Sequence, residues 1–233
     1  MKPTIKDIFD KIQSATVQTE PFDHLVVDNL LPDVFFKELA KELEAEDFPG
    51  NYTRGAYGNK ERYAVDITDY PAWKASKDKD LTTVHQRNYE SLLSGKCFNV
   101  QFFVKLLLEN QKDFYLLLHS KLPTERFQDN CFFHVNMTKD GVGYEIEPHT
   151  DDKENIYTIL FYVPETDVNK EIAALHICEE KVDFIPNRMI VFAPSKPNEE
   201  RPATWHEVKR LSDKLVGTRN SFQMFILKSY NGV

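Results

Sequence analysis

Cysteine is scarce in this chain: Cys97, Cys131 and Cys178 are the only three among 233 residues. They are far apart and odd in number, so neither a disulfide framework nor a Cys-x-x-Cys metal site is supported. They read as buried or free thiols in a reducing compartment. Positive charge is also in deficit. Lys plus Arg is 29 and Asp plus Glu is 37, a net charge of 29 − 37 = −8. Lys74, Lys77 and Lys79 are interrupted by Asp78 and Asp80. Non-specific nucleic-acid affinity comes from clustered Lys and Arg, so nucleic acid is disfavoured as a partner. No apolar run approaches the ~18 residues of a transmembrane helix. The segment Met1–Asp10 has no apolar stretch of signal-peptide length, so the expected location is the cytoplasm. Repeats and low-complexity tracts are absent as well.

The composition is that of an ordinary globular protein, 41% hydrophobic and 28% charged. The length suits one large domain or two small ones, with a sizeable core. Ile5, Ile8, Phe9 and Ile12 recur at helical spacing, which predicts a short amphipathic helix over 4–13. Phe22–Leu30 reads as a strand, and Pro32-Asp33 opens a second helix with Phe35, Phe36, Leu39 and Leu43 on one face. Residues 48–80 mix Pro, Gly, Asn and Tyr irregularly, predicting long loops with one short strand at Arg62–Ile67. Residues 98–121 carry Phe and Leu at helical spacing and read as a core helix. From residue 131 the texture changes. Phe132–Met137, Tyr157–Val163, Ala174–Cys178, Met189–Ala193, Trp205–Val208 and Ser221–Lys228 are short β-rich runs separated by turn residues. Such spacing indicates an antiparallel sandwich or barrel. The fold class is therefore α+β with a mainly β core. A single domain spans 1–233, with helical and loop support over about 1–128 and the β core over about 129–230.

Chemistry gathers in that core. His149 and Asp151 stand one residue apart in Glu147-Pro-His-Thr-Asp. Strand alternation would point both the same way. By composition alone a His-x-Asp arises with about an even chance, so the pair needs support. A third ligand is available in His206, 206 − 151 = 55 residues on, at a predicted strand. Two imidazoles and one carboxylate can hold Fe(II) on one face and leave the opposite positions open. Arg219 follows 13 residues after His206 and starts another strand, sharing a face with Ser221, Gln223 and Phe225. A buried Arg needs an anionic partner, and its planar fork suits a carboxylate.

This order of His-x-Asp, distal His and Arg-x-Ser resembles the Fe(II)/2-oxoglutarate-dependent dioxygenases, most closely their prolyl-4-hydroxylase-like branch. Gly143-Tyr144 before the Pro-His-Thr-Asp segment, Thr158-Ile-Leu-Phe-Tyr-Val-Pro after it, and Pro186-Asn-Arg-Met-Ile-Val-Phe leading to Trp205-His206 fit the same likeness. It covers about residues 130–230, with a looser echo in Pro21-Phe-Asp-His-Leu-Val-Val-Asp. The resemblance implies a double-stranded β-helix, or jelly roll, with N-terminal helices packed on it. It implies that His149, Asp151 and His206 bind Fe(II), and that Arg219 pairs with the distal carboxylate of 2-oxoglutarate, assisted by Ser221. Tyr162 falls where the family often places a second donor to that carboxylate, and Asn136 and Tyr144 are carried over as pocket residues. O2 is the second cosubstrate, ascorbate is a possible addition, and the substrate is a small molecule or peptide. Peptidyl proline, free proline or another amino acid is the expected acceptor. The pattern does not specify the oligomeric state. One departure stands out: where the family usually has a Gly-Gly turn, this chain has Ala173-Ala174. Related halogenases replace the ligand carboxylate with a small residue; its presence as Asp151 favours hydroxylation.

The other histidines have plainer readings. His176 and His134 are expected to be satisfied core residues, His24, His85 and His119 have no partner spacing, and Trp205 is expected to face away from the site and pack. Tyr57, Arg62 and Tyr63 lie where the family's covering loops fall. The competing functional reading is a metal-binding scaffold or metal-dependent hydrolase on the same barrel. Hydrolysis needs a general base near the metal water. Glu207 adjoins His206, but alternation would point it away.

Overall fold

The computed structural model describes residues 2–45, 53–54, 61–66, 97–126, 128, 131–197 and 199–228. Its helices are α1 (Ile5–Ser14), α2 (Asp33–Ala45), α3 (Phe98–Glu109) and α4 (Gln111–Lys121). The strands of the first half are β1 (Val17–Gln18), β2 (His24–Val27), β3 (Thr53–Arg54) and β4 (Arg62–Asp66). Those of the second half are β5 (Cys131–Asp140), β6 (Ile146–His149), β7 (Asn155–Tyr162), β8 (Leu175–Ile177), β9 (Glu180–Val182), β10 (Met189–Phe192), β11 (His206–Val208) and β12 (Arg219–Lys228). Most of the irregular stretch expected over 48–80, with Tyr57 and the broken lysine run, lies outside the described residues, as do His85 and the Tyr63 side chain.

Two antiparallel sheets result. The large one has the order β1-β2-β10-β7-β12-β5-β4-β3, and the small one β6-β11-β8-β9. Strands of the N-terminal half, including the two expected near residues 22–30 and 62–67, thus extend both edges of the large sheet. The long central strands β5, β7 and β12 explain the layering. Phe133, Val135, Met137, Ile159, Phe161, Phe222, Met224 and Ile226 share one face and join the helices in one apolar cluster. Phe103 of α3 sits among them, its ring 5.4 Å from that of Phe161 and 5.3 Å from that of Phe222. The alternate positions include His134, Thr138, Asp140, Thr158, Arg219 and Gln223, which are polar and also buried. An antiparallel sheet with an alternating pattern commonly gives its polar face to water. Here the polar face looks towards the small sheet instead. A second apolar cluster, with Leu160, Ile190 and Phe192 from the large sheet and Leu175, Ile177 and Val208 from the small one, joins the two layers.

The helices start and stop for local reasons. Thr4 caps α1: its Oγ1 accepts from Asp7 N at 3.3 Å, while the Asp7 carboxylate accepts from Thr4 N at 2.7 Å. The single helix expected over 98–121 is two. Asn110 breaks the run; its Nδ2 donates to Leu106 O at 2.8 Å, satisfying a carbonyl at the end of α3. The start of α3 has no side-chain cap of its own, and Glu42 of α2 accepts from Asn99 N and Val100 N instead. Among the described residues no helix is long and apolar enough to cross a membrane.

Candidate metal centre and anion site

The small sheet brings two imidazoles together. β6 and β11 are antiparallel, with His206 directly opposite His149 and their ring centroids 4.2 Å apart. Each ring is fixed by its own backbone. His149 Nδ1 donates to Glu147 O at 2.9 Å, and His206 Nδ1 donates to Thr204 O at 3.0 Å. A ring N–H committed at Nδ1 leaves the Nε2 lone pair for a ligand role. Burial is the main influence holding the His206 pKa below its ordinary value; the Asp151 charge opposes this and His149 reinforces it.

Asp151 completes the group from outside the strand. β6 ends at His149, so Asp151 stands on the link to β7 rather than two positions along one strand. The turn, not strand alternation, aims it. Thr158 Oγ1 on β7 donates to Asp151 Oδ2 at 2.5 Å. Asp151 Oδ1 then lies 3.9 Å from His149 Nε2, and Oδ2 lies 3.8 Å from His206 Nε2. One ligand atom from each of the three falls within 4.8 Å of the others. A two-imidazole, one-carboxylate set with both outer ring nitrogens tied is a fitting donor set for a divalent transition metal.

The triad borders a cavity of about 1070 Å³ whose wall also includes Arg219, at the start of β12. Arg219 is 1% exposed. Its Nε donates to Ala173 O at 3.0 Å, so the Ala-Ala pair that departs from the expected Gly-Gly turn supplies a backbone acceptor to this guanidinium. Its Nη1 donates to Asp140 at 3.2 Å. Tyr162 lies alongside, with the Arg219 guanidinium 5.3 Å from its ring centre. The Tyr162 hydroxyl is buried and makes no well-formed hydrogen bond. Burial raises its pKa, which the Arg219 charge opposes. The Arg219 side chain is a hydrogen-bonding neighbour of this hydroxyl, and Tyr162 does not itself line the cavity that Arg219 borders.

The remaining expected residues divide. Tyr144 lines the cavity and is fully buried; Gly143 before it sits at φ +88, where a β-carbon is strained. Ser221 and Asn136 are buried on β12 and β5 but do not line the cavity. The Ser221 hydroxyl is engaged with Thr138 Oγ1 at 2.9 Å. His134 lines the cavity beside Phe225, where a plain core role was expected. Glu207, expected to point away, also borders the cavity, because the β6–β11 register shifts between His206 and Val208. Trp205 is 41% exposed rather than packed. Sequence reasoning passed over Thr158 as an Asp151 partner, and Asp140 and Gln223 as lining for the two arginines. Their signal was the polar alternation of β5, β7 and β12.

No family model matches this sequence, and no curated protein matches it. Solved structures do share the fold. A prolyl-4-hydroxylase from Pseudomonas putida is similar with a TM-score of 0.54 at 13% identity, over 97% of this chain and 99% of its own. The dioxygenase for auxin oxidation 1 from Arabidopsis thaliana, in complex with 2-oxoglutarate, gives 0.59 at 14% identity, over 100% of this chain and 94% of its own. A viral collagen prolyl hydroxylase from Paramecium bursaria Chlorella virus-1, also with 2-oxoglutarate, gives 0.51 at 14% identity, over 88% and 94%. Identities this low speak for the fold alone.

Proposed function

We propose that this protein is a jelly-roll Fe(II)- and 2-oxoglutarate-dependent dioxygenase that hydroxylates a C–H bond and releases succinate and CO2. The observation that carries this reading is one cavity bordered by both a His149–Asp151–His206 ligand set and the buried Arg219. A metal site alone would support many chemistries; a metal site with a buried guanidinium on the same wall suits a ligand with a chelating end and a carboxylate end. Bound iron with its cosubstrate supplies the activation of O2, and the protein supplies orientation and a dry pocket. His149, Asp151 and His206 hold the ion. Thr158 keeps the Asp151 carboxylate turned towards it. Arg219 takes the distal carboxylate with the Tyr162 hydroxyl as a second donor, and Tyr144 walls the pocket. Ser221 can assist if its hydroxyl accepts from Thr138 and keeps its own proton for the carboxylate.

The substrate is read as an amino acid or a peptidyl residue, proline among them. The two prolyl hydroxylases that share the fold support this, as does a cavity at the upper end of the usual range for small-molecule pockets, ~300–1,000 Å³. The cavity wall also carries Glu145, Asp152, Glu154 and Glu207 against Arg210, which favours a substrate without excess negative charge.

Release of succinate from 2-oxoglutarate, with Fe(II) and a panel of amino acids and peptides, tests the reading. Absence of cosubstrate binding in calorimetry with Mn(II) would overturn it. The position of Glu207 favours one competitor, a metal-dependent hydrolase with Glu207 as general base. Hydrolysis leaves Arg219 without a task, so the same titration separates the two.

A further inference from the structure

Three strands set one row of charges. In the register of the large sheet, Asp140 of β5 is directly opposite Arg62 of β4 on one side and Arg219 of β12 on the other. All three are buried, at 4%, 0% and 1% exposure for Arg62, Asp140 and Arg219. Two cations therefore share one carboxylate, and they share it unequally. Arg62 grips Asp140 with two prongs, Nε to Oδ1 at 2.7 Å and Nη2 to Oδ2 at 3.0 Å. Arg219 reaches it through a single longer contact at 3.2 Å. Arg62 is held in that posture by Gln223, whose Oε1 accepts from Nη1 at 3.3 Å, and by the Tyr144 ring, 4.5 Å from its guanidinium carbon.

We propose that Arg62 is a positioning residue that keeps Arg219 available to an anion by occupying Asp140. This rests on reading Arg219 as the anchor of the 2-oxoglutarate distal carboxylate. A two-pronged guanidinium–carboxylate pair is the stronger geometry, and Arg62 takes it. With Arg62 gone, the buried Asp140 has one cation left. It would draw Arg219 into the two-pronged pair, turning the fork away from the cavity and cancelling the charge the cosubstrate needs. Arg62 itself is spent on Asp140 and Gln223, so its effect passes through Asp140 to Arg219. The arrangement makes cosubstrate affinity depend on β4, a strand from the N-terminal half, docking against β5.

The test is a calorimetric titration of 2-oxoglutarate into the full chain loaded with Mn(II). Arg62→Gln is expected to bind 2-oxoglutarate on the order of tenfold to a hundredfold more weakly, inside the span from about fivefold in water to about a thousandfold near a protein surface that one unit charge ~4 Å away sets. Mn(II) affinity stays within about twofold of wild type, since the triad is untouched. The double variant Arg62→Gln/Asp140→Asn, which removes the competing carboxylate as well, recovers 2-oxoglutarate affinity to within about threefold. Arg62→Lys, which keeps the charge and loses the fork, falls between wild type and Arg62→Gln. A structural role alone would make the double variant at least as weak as the single one, and that result overturns the inference. So does an Arg62→Gln protein that binds like wild type. If Arg62→Gln does not fold, the double variant decides: affinity within threefold of wild type supports the inference, and a loss of tenfold or more overturns it. Failure of the wild-type protein to bind 2-oxoglutarate would instead overturn the functional reading, and this inference with it.

Discussion

The two sheets build the two ends of one cavity by opposite means. The small sheet places its ligands at strand ends, with the His149 side chain 38% exposed, and holds them by contacts close in sequence. His149 is fixed by a carbonyl two residues back, His206 likewise, and Asp151 by a hydroxyl seven residues on. The large sheet holds Arg219 in a fully buried row whose members are 140 − 62 = 78 and 219 − 140 = 79 residues apart. A centre whose ligands are paired across a small sheet but oriented by local contacts can be open, as an incoming ion and substrate require. A centre made of long-range contacts exists only once the sheet is registered, and its stability is tied to the fold's. Changes at the ligand end should therefore affect chemistry and spare the fold, while changes at the anion end should affect both.

The largest expected effect lies at the ligand end. Asp151→Ala removes the only carboxylate of the triad and should abolish metal-dependent succinate formation. The residue is half-buried on a link, so the urea midpoint should hardly move. Retained turnover with iron supplied would dismiss the ligand assignment; a large loss of stability would dismiss the contrast between the ends. Arg219→Met comes next. It should weaken 2-oxoglutarate binding about a hundredfold, in keeping with the loss of one partner of a buried charged pair. It should also lower stability by about 1–3 kcal/mol, because Ala173 O loses its donor while Asp140 keeps Arg62. A calorimetric titration and a denaturant curve on the same preparation read both quantities. Loss of affinity without loss of stability would break the comparison.

The same division governs what the sequence made legible. That His149, Asp151 and His206 gather in one place is legible from residue type, spacing and the family resemblance together. The place of Arg219 on the same cavity wall is legible from the same resemblance and from its opening a strand soon after His206. The helices and most strands followed from periodicity. The Arg62–Asp140–Arg219 row was not readable, since it needs the register of three strands, and register follows from the whole sheet. Arg62 was weighed only as part of a covering loop. Alternation places Glu207 wrongly, because β11 has three residues and its register shifts after His206, while Trp205 stays off the cavity wall as expected but is exposed rather than packed. The long helix over 98–121 was overextended because its apolar pattern continues through Asn110, whose side chain turns to a carbonyl.

A smaller effect belongs to the hydrogen bond that links the large sheet to the ligand carboxylate. Thr158 lies on β7 of the large sheet and donates to Asp151 beside the small one. Thr158→Val keeps the shape and removes the donor. Losing a hydrogen bond that orients a ligand carboxylate in this way reduces metal affinity about 10- to 100-fold. Mn(II) titration should show that loss, with 2-oxoglutarate affinity at saturating Mn(II) changed far less. Equal losses in both would mean that Thr158 serves the cavity as a whole rather than the carboxylate.

The smallest effect compares the sheets through their thiols. Cys131 begins β5 in the large sheet, and burial pushes its thiol up to about 11. Cys178 follows β8 in the small sheet and is exposed; its thiol is also raised, chiefly by burial, with a backbone hydrogen bond from Trp205 opposing. The thiolate is the reactive form. At about pH 8 a thiol with a pKa near 11 is ionised roughly one part in a thousand, against about a quarter for an ordinary one. Cys131 should therefore be silent to a disulfide reagent on two counts, ionisation and access, and buried Cys97 on access. Cys178 should react first and alone in the folded protein, with the other two appearing only in denaturant. Raising the pH should speed Cys178 before Cys131, whose half-buried thiol is the harder of the two to ionise and to reach. Simultaneous labelling of Cys131 and Cys178 under native conditions would show that β5 is no better sealed than the edge of the small sheet.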